Sequence, residues 1–252
     1  MKEKIALAAR KIAERGKNVV FTGAGISTES GIPDYRSQGG IWDQFRPVYF
    51  HEFMSSKDAR IEYWRQRTEM HHDLRKAKPN AAHMALFELH KMGMIEAVIT
   101  QNIDGLHQAS GLPDDKVIEL HGNTRRIRCM SCGKLSSEEE SHKRVTDGDL
   151  APECECGGYL KPDTISFGQS MPVLEVDKSV TLSQNCDFFM VVGSTLIVHP
   201  AASMPYYAKE SGAFLAIVNL SETPCDDICD VLITGKAGEA LTEMINEVRR
   251  IM

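Results

Sequence analysis

The chain contains no apolar run near the roughly 20 residues needed to span a bilayer; its longest wholly apolar stretches, such as Phe188 to Val192, are far shorter. No membrane-spanning segment is expected. An excess of base is also missing, since 29 Lys and Arg face 35 Asp and Glu for a net charge of -6. Direct nucleic-acid binding, which draws on clustered cations, is therefore not expected either. The opening residues MKEKIALAARKIAERG break their apolar run at Arg10 and Lys11 and show no signal-peptide pattern, so a cytoplasmic location is expected. There is no internal repeat and no low-complexity tract. Disulfide staples are not needed either, because 252 residues can bury an adequate core unaided. The seven cysteines are an odd number, and four of them fall in tight pairs, Cys129 with Cys132 and Cys154 with Cys156. In a reducing compartment that pattern suggests metal before disulfides, leaving Cys186, Cys225 and Cys229 as inert thiols.

What is present alternates regularly. Ile5, Ala8 and Ile12 keep helical spacing, with Gly16 placed to stop the helix. Short apolar runs at 18–22, 96–100, 117–120, 188–192, 214–219 and 231–234 read as buried parallel strands. Asn80 is placed to cap a helix over 82–92 that ends at Gly93, and Leu241, Met244, Ile245, Val248 and Ile251 form one face of a closing helix. The alternation predicts an α/β fold, a Rossmann-like doubly wound parallel sheet whose ligands bind at the carboxyl ends of its strands. Two stretches interrupt it: a helical insertion over 35–79 and a metal-held insertion over 124–161. Residues 1–34, 80–123 and 162–252 are then expected to form the large domain, and the two insertions a smaller lobe.

Gly23, Ala24 and Gly25 directly follow a predicted strand, where a tight turn and a following helix N-terminus would suit a pyrophosphate. A purely structural turn explains a bare GxG equally well. Thr28 stands where a dinucleotide fingerprint wants its third glycine, which argues against a simple hydride-transfer dehydrogenase.

The runs GAGISTESGIPDYR at 23–36, TQNIDGLH at 100–107 and ELHG at 119–122 are more specific. With Phe167-Gly168, Gly193-Ser194-Thr195-Leu196, Ile217-Val218-Asn219 and Gly235-Lys236-Ala237-Gly238 in the same order, the sequence resembles the sirtuin family of NAD-dependent protein deacylases nearly end to end. The resemblance implies that NAD is consumed as co-substrate without redox chemistry. The acyl-lysine carbonyl oxygen attacks the ribose carbon that carries nicotinamide, an alkylimidate forms, and lysine, nicotinamide and O-acyl-ADP-ribose are released. It implies His121 as general base, in keeping with an ordinary pKa of about 6.5. Gln101, Asn102, Ile103 and Asp104 would hold the ribose and nicotinamide amide, with Asn102 also catalytic, and Tyr35 and Arg36 would sit on a loop closing over NAD. Gly23, Ala24, Gly25 and Thr28 would line the phosphates, Gly193, Ser194 and Thr195 would contact the cofactor after a later strand, Asn219 would meet the adenosine ribose, and Lys236 and Ala237 the adenine. Acylated-lysine peptides are the implied partners, clamped as an added strand by loops carrying Ile165, Phe167, Gly168 and Val198. A monomer is expected. A mono-ADP-ribosyltransferase and a non-catalytic zinc-ribbon peptide-binding module are the alternatives.

Cys129, Cys132, Cys154 and Cys156 match the family's structural zinc module in position. The second pair is CxC where the family has CxxC, which leaves Glu153, Glu155 or His142 as substitute ligands. In desuccinylase-type relatives a Tyr-x-x-Arg pair reads an acidic acyl group, and alignment back from Pro79-Asn80 puts Trp64 and Arg67 there. The plainer expectation for Arg67 is a solvated arginine.

Overall fold

A computed structural model describes residues 1–14 and 16–252, except for the side chain of His72. The helix stop expected at Gly16 adjoins Arg15, which lies outside the described residues. Helix α1 (Lys2–Glu14) leads into β1 (Asn18–Thr22), and three helices follow: α2 (Ile41–Gln44), α3 (Phe50–Ser55) and α4 (Lys57–Lys76). Then come α5 (Ala81–Lys91), β2 (Ala97–Thr100), α6 (Leu106–Ala109), β3 (Val117–Glu119), β4 (Gly122–Cys129), β5 (Leu135–Ser137), α7 (Glu138–Thr146) and β6 (Leu160–Thr164). The chain closes with α8 (Val173–Asn185), β7 (Phe188–Val192), α9 (Met204–Glu210), β8 (Phe214–Asn219), β9 (Val231–Thr234) and α10 (Ala237–Ile251).

Six of the strands form a parallel sheet in the order β3-β2-β1-β7-β8-β9. The doubly wound α/β fold expected from the sequence is therefore present. Every residue of β1 and β7 is buried because both faces of the sheet are covered. Successive side chains point to opposite faces. Val20, Met190 and Val192 thus pack with Ile5 and Ile12 of α1, Leu86 and Leu89 of α5, and Leu241 and Met244 of α10. Phe21, Phe189 and Val191 pack on the other face with Met204 and Ala208 of α9. Asn80 caps α5 as expected, its side chain accepting from the Ala82 and His83 amides. Ile251, expected on the buried face of α10, is 47% exposed at the helix's end.

The winding reverses at β1. From there the chain builds β2 and β3 to one side and later returns to build β7, β8 and β9 on the other. At such a reversal the ligand crevice is expected at the carboxyl ends of β1 and β7.

A second, three-stranded antiparallel sheet has the order β5-β4-β6. Its core joins Ile127, Cys129, Val145 and Leu160 to Trp64 of α4. The Trp64 indole donates to the Leu160 carbonyl at 3.2 Å, so α4 and the cysteine-bearing strands share one apolar cluster. Among the described residues, no helix is long and apolar enough to cross a membrane.

Candidate active site

The loops after β1 and β7 touch backbone to backbone. The Gly25 amide donates to the Gly193 carbonyl at 2.8 Å, and the Gly23 amide to the Val192 carbonyl at 3.1 Å. A Cβ on Gly25 would lie 2.8 Å from Gly193 Cα, and one on Gly193, whose φ is +63°, would lie 2.3 Å from the Ile26 nitrogen. No side chain fits between them, so the glycines of the GAG run are required by this approach whether or not phosphate binds. The helix expected to follow is replaced by two three-residue 3₁₀ turns, Ala24–Ile26 and Thr28–Ser30. Pro33 lacks an amide and disfavours helix at the residue before it. Individual amides, not a helix dipole, are what this loop offers an anion. Thr28 is exposed and its hydroxyl donates to the Gly25 carbonyl at 3.0 Å.

The residues after β2 are held against that loop. Asn102 donates from Nδ2 to the Gly23 carbonyl and to Ser27 Oγ, both at 3.1 Å. Ser27 Oγ donates to Asp104 Oδ2 at 2.7 Å, and Asp104 Oδ1 accepts from the Leu106 amide at 2.8 Å. Gln101 Nε2 donates to Ser194 Oγ at 2.9 Å, tying β2 to β7. Ile103 turns its carbonyl outward to accept from the Thr124 amide and hydroxyl, each at 2.9 Å. Beneath lie two buried histidines whose rings are 5.0 Å apart. Burial, reinforced by His83, pushes His107 down to about 3, and burial against the pull of Asp104 takes His83 to about 4. Their neutral forms belong to the folded state. Acid therefore favours unfolding progressively as pH falls from about 6.5 through those values.

His121 follows β3. Its Nδ1 lies 3.0 Å from the Gln101 carbonyl, which can only accept, so Nδ1 carries the proton and Nε2 presents a lone pair. Burial lowers its pKa against the raising effect of that hydrogen bond. The backbone of His121 accepts from the Ile165 amide at 2.9 Å, placing the 165–169 loop directly beside the imidazole.

The remaining expected residues lie on loops and at element ends. Tyr35 stacks obliquely on Trp42 with centroids 5.1 Å apart, and Trp42 reaches Phe167 at 5.7 Å. Tyr49 lies 5.8 Å from Phe167, and the Phe50 amide donates to the Phe167 carbonyl at 2.9 Å. Arg36, Gly168 and Thr195 are exposed, and Val198 is half-buried. Asn219, at the end of β8, donates to the Ser221 carbonyl at 2.8 Å. Lys236 is exposed at the N-terminus of α10, Ala237 is buried, and Glu29 Oε2 accepts from the Gly238 amide at 2.8 Å. Ser27 and Trp42 were not singled out as site residues from the sequence. Ser27 was legible only as part of the GAGIS run, and Trp42 gave no signal, because its role depends on meeting Phe167 across the fold.

Trp64 and Arg67 do not form a pair: Trp64 belongs to the small sheet's core, while Arg67 turns the other way. Arg67 is half-buried, not solvated, and Nη2 donates to Tyr63 OH at 3.2 Å and Thr164 Oγ1 at 3.0 Å. Residues three and four before Arg67 both lie near its helix face, but Trp64 is drawn into the small sheet's core, so Tyr63 is the one that meets Arg67.

All four expected metal cysteines converge, their sulfurs within 4.8 Å of one another. Cys129 and Cys156 are 3.5 Å apart, and Cys132 and Cys154 3.9 Å. Zinc–sulfur bonds near 2.3 Å in a tetrahedron require edges of about 3.8 Å, so the set fits zinc. The shortened pair reaches because residues 154–158 close a tight turn, in which the Cys154 amide donates to the Gly158 carbonyl at 2.7 Å. Glu155 pairs instead with Lys134, and His142 stacks on His71.

A glycine-lined crevice at the reversal of a 3-2-1-4-5-6 sheet, polar at its floor and with a histidine at its rim, defines a Rossmann-type nucleotide-binding protein. The Sir2 family model matches residues 23–200. The chain is 50% identical over 231 residues, 91% of each sequence, to NAD-dependent protein deacetylase 1 of Bradyrhizobium diazoefficiens. It is 42% identical to NAD-dependent protein deacylase 2 of Archaeoglobus fulgidus, over 100% of this chain and 98% of that protein. A solved Sir2 complex with p53 peptide and NAD+ superposes with a TM-score of 0.87 at 37% identity, covering 96% of this chain and 97% of the other. The chain belongs to the Sir2 family.

Gly193→Ala should lower stability by about 2–4 kcal/mol through backbone strain and collision with Ile26; a urea melt matching the parent's would contradict the close approach. Cys129→Ser protein should lose its zinc, by elemental analysis, and melt earlier, because structural zinc binding is coupled to folding.

Proposed function

We propose that this chain is an NAD-dependent protein-lysine deacylase, most active on acetyl-lysine, that releases nicotinamide and O-acyl-ADP-ribose. One observation carries the reading: Nε2 of His121 is left as a lone pair by the Nδ1 bond to Gln101, on the strand edge that holds Asn102 and Asp104. The names of the relatives and the solved Sir2 complexes with acetylated, propionylated and myristoylated peptides support it.

When bound, NAD supplies an activated glycosidic bond to nicotinamide. The loop of Gly23, Ala24, Gly25 and Thr28 would hold its phosphates through the Ala24 and Thr28 amides, the Gly23 and Gly25 amides being committed to the Val192 and Gly193 carbonyls. Gln101, Asn102, Ile103 and Asp104 orient the nicotinamide and its ribose, with Asn102 fixed by Ser27 and Gly23. Gly193, Ser194, Thr195 and Asn219 line the adenosine ribose, Lys236 and Ala237 the adenine. Tyr35 and Arg36 close over the nucleotide and exclude water. His121 accepts a proton from a ribose hydroxyl at Nε2 and thereby makes that oxygen a nucleophile. The loops bearing Ile165, Phe167, Gly168 and Val198 grip the peptide as an added strand, setting the acyl-lysine beside His121.

The proposed large domain comprises 1–34, 80–123 and 162–252, and the small one 35–79 and 124–161, the latter carrying one structural zinc. We also propose that the protein acts as a cytoplasmic monomer without nucleic-acid partners.

The test is mass spectrometry of acetyl-peptide incubated with NAD and either the parent protein or His121→Ala. The parent should deacetylate the peptide with matching nicotinamide release, and the variant should retain NAD binding but lose roughly 10²–10⁴-fold in rate. Equal rates would overturn the role of His121; ADP-ribose appearing on protein would replace deacylation with transfer. Because burial favours neutral His121, kcat/KM should hold as pH falls past about 6.5 and decline only through a lower pKa. An acid limb above 6.5 would contradict this.

A further inference from the structure

Away from the crevice and from the four cysteines, His71 of α4 meets Glu138 and His142 of α7. Glu138 and His142, four apart, share one face of α7. The ligand atoms of the three lie within 4.8 Å of one another and are half-buried. His71 Nε2 is 2.7 Å from Glu138 Oε1. Yet that nitrogen is sealed from solvent and makes no aligned hydrogen bond among the described residues. An ion seated against both would satisfy the nitrogen that no hydrogen bond satisfies, the pair parting slightly to admit it. The His142 ring lies face to face with His71, centroids 3.5 Å apart and planes 12° apart, so its ring must turn out of the stack for its nitrogen to join the other two ligands. Arg75 takes the far side of Glu138, 3.6 Å from Oε2, and bonds chiefly to Glu139 at 2.6 Å, leaving Oε1 to the histidines.

We propose that His71, Glu138 and His142 form a second metal site that takes a borderline divalent transition-metal ion, with water completing its coordination. Two imidazoles and one carboxylate suit zinc, nickel or copper(II) rather than calcium or magnesium. Metal–nitrogen and metal–oxygen bonds near 2.0–2.2 Å put ligand atoms about 3.3–3.6 Å apart in a tetrahedron, wider than the 2.7 Å between His71 and Glu138 and inside the 4.8 Å that bounds the three. The ion joins α4, from the stretch before α5, to α7, from the cysteine-bearing stretch. It therefore braces the same junction as Trp64 and works independently of the four thiolates.

The probe is nickel(II), added to untagged, zinc-loaded protein and followed by isothermal titration calorimetry, elemental analysis and thermal melting. One nickel should bind per chain with the zinc content unchanged, and the melting temperature should rise with nickel concentration. His71→Ala and His142→Ala should each weaken binding at least about tenfold, as even outer-sphere losses do at metal sites. Absence of nickel, nickel gained only as zinc is lost, or binding by either variant as tight as the parent's would overturn the site. Should an alanine variant fail to fold, Glu138→Gln, which keeps the side chain's shape, decides the matter. Undiminished nickel affinity in that variant overturns the proposal.

Discussion

The crevice exists because two strand ends come together without side chains between them. Gly25 and Gly193 lie in direct backbone contact, with the Gly25 amide bonded to the Gly193 carbonyl at 2.8 Å. That contact fixes where the β1 loop runs, and Asn102 and Ser27 can bridge to Asp104 only because the loop runs there. Gln101 then fastens the other side through Ser194. A bulkier residue at either glycine would push the loops apart and unseat the polar residues together, because they share partners.

Desolvation, more than charge pairing, sets the chemistry at this floor. His83 and His107 are held neutral beneath Asn102 and Asp104, and His121 at the rim is held below its ordinary pKa by burial. A neutral imidazole whose Nδ1 is committed to a carbonyl has only Nε2 left for proton transfer. Hydrogen-bonded positioning and a dry floor leave one histidine neutral with a lone pair of defined direction.

The large sheet was legible in the sequence because its strands are covered on both faces. Runs such as Asn18–Thr22 and Phe214–Asn219 leave few alternatives once flanked by helical spacing. The small sheet was not legible strand by strand. GNTRRIRC in β4 mixes arginines with single apolar residues, and Leu135–Ser137 is short and largely exposed. Those strands are held by thiolates and by Trp64 arriving from α4, contacts distant in sequence. His121, Asn102 and the four cysteines were legible as residue types in motifs. Ser27's bridging, Trp42's stacking and Arg67's turn toward Tyr63 depend on tertiary neighbours, which no local pattern encodes.

The most direct test is a crystal structure of the protein soaked with NAD. Electron density should place the pyrophosphate against the 23–28 loop at the Ala24 and Thr28 amides and the nicotinamide ribose between Asn102, Asp104 and His121 Nε2. Nucleotide density anywhere other than the crevice between β1 and β7, or a ribose beyond hydrogen-bonding reach of His121, would contradict the account.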